Sequence, residues 1–495
     1  MMSIGQIILL CNAALELNFS KKWKAMKSQP ILWVLAGFII LHFVGLLWST
    51  NIEYGLKDIR NKLPLIILPL IVVISKPLSK MEWRVLANLY LATLLIITLF
   101  SLNKLVGSEG ISTLEKRELS INISHIRYGL NLCFAIFIIL IGKLSSRLNW
   151  AYHILALWFL IAIVLFELYT GLISLLFVSL VILSKTLLSN KKNNTSALIY
   201  TSISIALTLF SGTYIYSVYH DFTSPIETSY NQENLNQLTP SNNPYHHDLE
   251  DKRKINGVYI ARFIELKEVW ASWEKRSDMD IHGTDLKGQN LQATLLSFLT
   301  SKGVRKDSST VAELSEKEIN AIENGVANVY YLKNNPIKIR IHKTLYELFS
   351  YQNVAYANGY SLVMRWIYWK TAWHIIKDNI WFGVGTGDVQ DAFKEQYIEE
   401  NSQLEEQYRR RSHNQYLSIW VGLGLIGLLY FIFSLVYPLF HISGELKALY
   451  LSFFLIATLS FLTEDTLETQ AGVTFFAIFN SLLLLGFKNQ DQTSS

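Results

Sequence analysis

The chain has 495 residues, of which 51% are hydrophobic, 13% aromatic and 17% charged, with a formal net charge of +5. Soluble proteins carry about a quarter charged residues, whereas here the apolar residues gather into blocks of roughly 18–22, long enough to cross a hydrocarbon core. No Lys/Arg stripe is interleaved with stacking aromatics, which argues against nucleic-acid binding, and Cys11 and Cys133, both inside apolar blocks, supply neither a disulfide framework nor a metal site.

In chain order, a short and weak block near Ile4–Leu17 comes first. Stronger blocks follow near 31–49, 63–75, 84–102, 126–142, 149–168, 171–187 and 197–218. A polar segment, roughly 219–412, intervenes before three more blocks near 415–440, 446–463 and 470–487. The expected fold is all-α: a polytopic membrane protein of about 11–12 transmembrane helices with one large helical loop. Its expected divisions are an N-terminal bundle over 1–218, the loop over 219–412 and C-terminal spans over 413–495. Short loops on one side carry about 14 Lys/Arg against about 6 on the other, so the positive-inside rule puts the long segment outside. No cleavable signal peptide is expected, because the first residues lack a positive region and a small-residue cleavage site.

Within the polar segment, Asp221–Asp251 is Pro/Asn-rich and reads as loose. Phe263, Leu266, Trp270 and Trp273 then share one helical face, and Leu362, Trp366, Trp369, Trp373 and Ile376 share another. Such faces rest at a lipid interface or pack on each other as a small domain, and spacing leaves both readings open. The glycine-rich stretch Trp381–Asp388 has no preceding strand and reads as a tight turn into a helix, not as a nucleotide fingerprint.

Chemistry concentrates where the polar segment re-enters apolar sequence, at Arg409-Arg410-Arg411-Ser412-His413-Asn414. Ser412 reads as an N-cap, which places His413 in the first helical turn. A positive helix end disfavours a second positive charge there, leaving a neutral imidazole able to take a proton from a hydroxyl. The same helix end attracts an anion such as a pyrophosphate. Arg127 opens the block at 126–142, Arg365 borders the second Trp stripe, and Glu464-Asp465 form an acidic pair between the last two blocks. Each has a plain alternative: a solvated arginine run, a snorkelling arginine, or loop charges that fix topology. No metal-ligand spacing, nucleophile elbow or P-loop occurs.

Arg365-x-x-x-Trp369, Phe382-Gly383-Val384-Gly385-Thr386-Gly387, His413-Asn414-Gln415-Tyr416-Leu417 and Gly422-Leu423-Gly424-Leu425-Ile426-Gly427 occur in that order. This order resembles the O-antigen ligase and polymerase superfamily. Asn61-Lys62-Leu63-Pro64-Leu65 and the segment Glu464–Gly472 look like its bacteroidete-type branch. The resemblance implies transfer of a glycan from undecaprenyl pyrophosphate to an acceptor hydroxyl on lipid A core, a glycan or a protein, at the periplasmic face of a bacterial inner membrane. It implies no metal, cofactor or nucleic acid. In that scheme His413 is the base, Arg127, Arg365 and Arg411 bind the pyrophosphate, and Asn414 and Glu464 support them. The sequence departs from the pattern at Tyr169, where many members carry an arginine. Within the superfamily the alternatives are O-antigen polymerase and protein O-oligosaccharyltransferase. From another class, a transporter or flippase of a lipid-linked solute predicts ionisable residues deep within spans.

Overall fold

A computed structural model describes residues 2–15, 19–107, 119–120, 123–142, 144, 149–189, 212–224, 226–228, 231, 234–354, 357–442 and 446–487. In chain order its helices begin with α1 (Met2–Leu15), α2 (Phe19–Lys27), α3 (Pro30–Gly45), α4 (Ile52–Lys62), α5 (Pro64–Ile74) and α6 (Lys80–Gly107). Then come α7 (His125–Ile141), α8 (Asn149–Leu165), α9 (Tyr169–Ser189) and α10 (212–223). A β-hairpin follows, β1 (Lys254–Ile255) pairing antiparallel with β2 (Val258–Tyr259). The remaining helices are α11 (Leu266–Trp273), α12 (Leu291–Lys302), α13 (Ser308–Ala312), α14 (Glu316–Glu323), α15 (Tyr330–Lys333), α16 (Pro336–Val354), α17 (Ser361–Asp378), α18 (Val389–Glu399), α19 (Gln415–His441), α20 (Lys447–Thr463) and α21 (Gln470–Leu485).

The chain is an all-α polytopic membrane protein. Among the described residues, Pro30–Trp48, Lys80–Val106 and Gln415–His441 are long and apolar enough to cross a membrane. Shorter apolar helices accompany them at His125–Ile141, Trp150–Leu165, Tyr169–Ile182, Lys447–Thr463 and Gln470–Leu485. The block at 63–75 becomes α5, only 11 residues long with Pro69 inside it, and at about 1.5 Å per residue it reaches roughly half the thickness of a hydrocarbon core. The block near 197–218 lies largely outside the described residues.

Two compact units emerge. The first comprises 1–102, 116–197 and 364–495. In it α21 packs along α5, α7 lies against α8, α9 and α20, and α19 runs beside α3. Gly129 and Gly171 permit the α7–α9 approach: a Cβ on Gly171 would meet the Gly129 carbonyl oxygen at 2.6 Å. Residues 364–412, part of the polar segment by hydropathy, belong to this apolar unit.

The second unit comprises 103–115 and 198–363. Its core gathers Trp273, Phe298, Ile281, Leu295 and Ile322, all fully buried. The first aromatic stripe therefore packs inward: Trp273 is buried and Trp270 lies against the same core, although Leu266 stays 43% exposed. Residues 234–251 are better tied than their composition suggests. Thr239 Oγ1 and Asn243 Nδ2 donate to Glu268 Oε1 at 2.6 and 2.8 Å, and Tyr245 OH donates to Asp307. Side-chain hydrogen bonds here replace the apolar contacts that the composition lacks.

Candidate functional site

The site lies in the first unit, and a helix break frames it. Inside α19, Gly424 adopts φ +67°, ψ −170°, a conformation essentially reserved for glycine. A break in an apolar helix frees backbone groups that must be satisfied by protein. The turn after α17 does this: Val384 N donates to Val421 O (2.8 Å), Gly385 N to Gly422 O (3.0 Å) and Leu425 N to Ile380 O (2.7 Å). Gly383 and Gly385 have positive φ, so the glycine-rich stretch is the tight turn expected before a helix. Thr386 Oγ1 donates to His42 O of α3 at 2.8 Å, and Asp388 accepts from the backbone of Thr50 and Asn51. The turn thus joins α3, α4 and α19.

At the start of α19 the expected cap is displaced. Asn414, not Ser412, is the N-cap, its Oδ1 accepting from Tyr416 N and Leu417 N at 3.0 and 3.2 Å. Its Nδ2 donates to Leu462 O at 3.2 Å. Asparagine binds its own following amides readily, which favours it as a cap. His413 therefore precedes the helix, at φ +48°, and the first-turn dipole argument does not apply to its ring. Instead the ring stands 5.7 Å from that of Tyr368 on α17. Among the described residues its buried Nδ1 has no hydrogen-bond partner. Its backbone N–H donates to Asp465 Oδ2 at 3.2 Å.

Asp465 belongs to a short acidic segment, 464–468, that organises the whole end of the unit. Ser418 Oγ donates to Asp465 Oδ1 at 2.7 Å and Ser412 Oγ at 3.5 Å. One residue earlier, Glu464 pairs with Arg365 Nη2 at 3.4 Å, the side chains being 14% and 23% exposed respectively. Arg127, in the first turn of α7 where Ser124 caps the helix, feels the Glu464 charge as well. Its buried Nε has no hydrogen-bond partner among the described residues. Arg365 is thus paired with one carboxylate whose charge also reaches Arg127, and the His413 backbone is held by the adjacent one. Tyr169 opens α9, the helix packed on α7.

Three residues further, Glu468 anchors a second cluster. Lys62, at the end of α4, donates to Asp58 Oδ1 and Oδ2 at 2.6 and 2.7 Å and to Glu468 Oε2 at 2.8 Å. Its side chain is only 1% exposed. Arg411 Nη1 reaches Glu468 Oε2 at 3.3 Å and Tyr54 OH at 3.1 Å. Gln415 Nε2 donates to Glu468 Oε1 at 3.0 Å. Arg411 is therefore engaged by a carboxylate, Arg409 by the Leu404 and Ser402 carbonyls, and Arg410 is exposed. A cavity of about 20 Å³, room for one water, touches Tyr54, Asp58, Lys62, Arg411, Ser418 and Glu468.

Burial sets the electrostatics here. It opposes ionisation of Glu468, but Lys62 and then Arg411 outweigh it and hold that carboxyl well below the usual carboxylate range. Asp58 goes the other way. Burial, then the neighbouring Glu468 charge, push it up to about 7 against the pull of Lys62. For Arg411 burial again works against charge, and Glu468 and Asp465 overcome it, raising its affinity for the proton.

Sequence reasoning missed Asp58, Lys62, Asp465 and Glu468 as a site. Lys62 reads in the sequence as one loop charge among several. The available signal was the i, i+4 spacing of Asp58 and Lys62, which puts both on one helical face. The second Trp stripe remains partly outward: Leu362, Trp366 and Trp373 are 46%, 62% and 45% exposed, while Ile376 is buried.

Residues 322–432 match the sequence profile of the family described as O-Antigen ligase. The match covers 111 of the 495 residues, so the likeness to that family is a property of this segment. The matched segment runs through α17, the glycine turn, the arginine run, His413 and the broken part of α19. Among curated proteins, none matches the chain.

Proposed function

We propose that the chain is a membrane glycan transferase, moving a glycan from undecaprenyl pyrophosphate to an acceptor hydroxyl, with the site facing the periplasm of a bacterial inner membrane. The observation that supports this reading is the pairing of Arg365 with Glu464, whose charge also reaches Arg127, while the His413 backbone N–H donates to Asp465 beside it. Pyrophosphate is already a good leaving group, so catalysis needs charge stabilisation and an aimed hydroxyl. Guanidinium groups suit the first task, being permanently charged and bidentate toward phosphate oxygens. The unpartnered Nδ1 of His413 suits the second, as a proton acceptor for the attacking hydroxyl. Glu464 keeps Arg365 ordered until the donor's phosphates replace it. Direct displacement inverts the anomeric centre.

The test is transfer from a polyprenyl-diphosphate glycan by purified protein in lipid nanodiscs. Removing one positioned donor costs about 10²–10³ in rate, and removing a base about 10²–10⁴. Arg127→Ala and Arg365→Ala are expected to show the first loss, and His413→Ala the second. Wild-type rates in correctly inserted variants refute the roles. Glycan analysis of lipopolysaccharide, free polysaccharide and glycoproteins from a deletion strain separates ligase, polymerase and protein glycosylation. A transporter reading draws on the buried charges Asp58, Lys62 and Glu468. Solute uptake by proteoliposomes, with no glycosidic bond formed, would favour it.

A further inference from the structure

Buried charge clusters are costly unless their members neutralise one another. The cluster around Glu468 holds two cations, Lys62 and Arg411, and two carboxylates, Asp58 and Glu468. With both carboxylates ionised it is neutral, and it offers no excess charge to an anion. The two carboxylates are not equivalently held. Glu468 accepts from Lys62 at the end of α4, from Arg411 just before α19 and from Gln415 at its start. Asp58 accepts from Lys62, its neighbour one turn along α4. The other polar side chains around this cavity are Tyr54 of α4, His42 of α3, Thr386 of the glycine turn and Ser418 of α19.

We propose that Asp58 couples proton uptake to the binding of an anionic diphosphate, acting as a positioning residue that sets how much positive charge Lys62 and Arg411 present. The inference rests on reading this end of the unit as the donor site. One proton from solvent adds to the Asp58 carboxylate, and no other bond forms or breaks. The net charge of the cluster then rises by one, Glu468 being the carboxylate of the four groups still ionised, while the Asp465 charge continues to act on Arg411. A diphosphate approaching Arg411 is stabilised by that charge. By linkage, the diphosphate makes protonation of Asp58 easier to the same extent. The resting position of Asp58, at about 7, puts this exchange in the physiological range. The sign follows: binding is tighter below that pH and weakens as pH rises through it.

The full-length protein in detergent would be titrated calorimetrically with a short-chain polyprenyl diphosphosugar, a diester that does not itself titrate near neutrality. Two buffers of different ionisation enthalpy, at pH 7, report the protons taken up. Uptake of about half a proton per ligand is expected at a pH equal to the free group's pKa. Kd is expected to weaken by up to about tenfold per pH unit above it. Asp58→Asn is expected to abolish the uptake and flatten the pH profile. A wild-type Kd that is flat from about pH 6 to 8.5, or an Asp58→Asn variant that keeps wild-type uptake, overturns the proposal. Binding without proton uptake overturns this proposal alone, whereas no diphosphate binding at all overturns the donor reading as well.

Discussion

Replacing Lys62 with Met probes the buried cluster most directly. The three ammonium N–H groups make three hydrogen bonds, at 2.6, 2.7 and 2.8 Å, to the carboxylates of Asp58 and Glu468, whose side chains are 11% and 6% exposed. Removing one partner of a buried ion pair costs about 3–5 kcal/mol, because the remaining charge is left in a poor solvent. Two features of the cluster put Lys62→Met at the lower end. Glu468 keeps Arg411 and Gln415, and Asp58, already at about 7, protonates readily. The expected loss is therefore about 3 kcal/mol at alkaline pH. Its pH dependence has a definite sign. Without Lys62 the folded-state pKa of Asp58 rises further above its unfolded value, and that of Glu468 rises from below its own, losing part of what Lys62 contributed. The penalty falls on the ionised forms, so it is present at high pH and relieved as pH falls through the folded pKa. Thermal unfolding in detergent, followed by tryptophan fluorescence at pH 8 and pH 6, measures both effects. The transition should drop at pH 8 and recover in part at pH 6. Lys62→Met combined with Asp58→Asn should be more stable at pH 8 than Lys62→Met alone. A Lys62→Met protein as stable as wild type at pH 8 would refute the reasoning and return Lys62 to the role of a solvated loop lysine.

Asp465→Asn keeps one acceptor oxygen but turns the other position into a donor facing the His413 N–H or the Ser418 hydroxyl. If Asp465 positions His413, kcat for glycan transfer falls about tenfold or more while KM for the donor barely moves; a change confined to KM would instead mean that Asp465 touches the donor. Gly424→Ala places a Cβ 2.2 Å from the Trp381 carbonyl carbon and oxygen, at a φ of +67°. It should lower stability by at least about 2 kcal/mol, whereas Gly5→Ala, with nothing within 4 Å, should be neutral. Unfolding midpoints of the two variants side by side decide this, and equal midpoints would mean that the turn after α17 does not wedge the broken helix.

Apolar blocks longer than any soluble helix requires made a membrane fold legible from composition, because backbone in lipid must satisfy itself as helix. The glycines of 383–387 were equally readable as a tight turn into a helix, whereas the break at Gly424 was not. Cap identity was not. Ser412 and Asn414 are both good N-caps by type, and only the packing of Asn414 against Leu462 chooses between them. The fate of the two Trp stripes was open for a similar reason. Periodicity says that a face is apolar and not what covers it, and the structure buries Trp273 in a core while leaving Trp366 outward.

The sequence by itself determined the class of the protein, the order of its motifs and the chemistry those residue types permit, since hydropathy and helical period are local properties. Only the tertiary structure decided that Arg365 pairs with Glu464 and that Arg127, 238 positions earlier by their numbers (365 minus 127), lies in reach of the same charge. It also decided that Lys62 is a buried partner of Glu468 and not a loop charge. The reason is physical: the charge on a side chain is fixed by its type, but its solvent and its counter-ion are fixed by what folds against it.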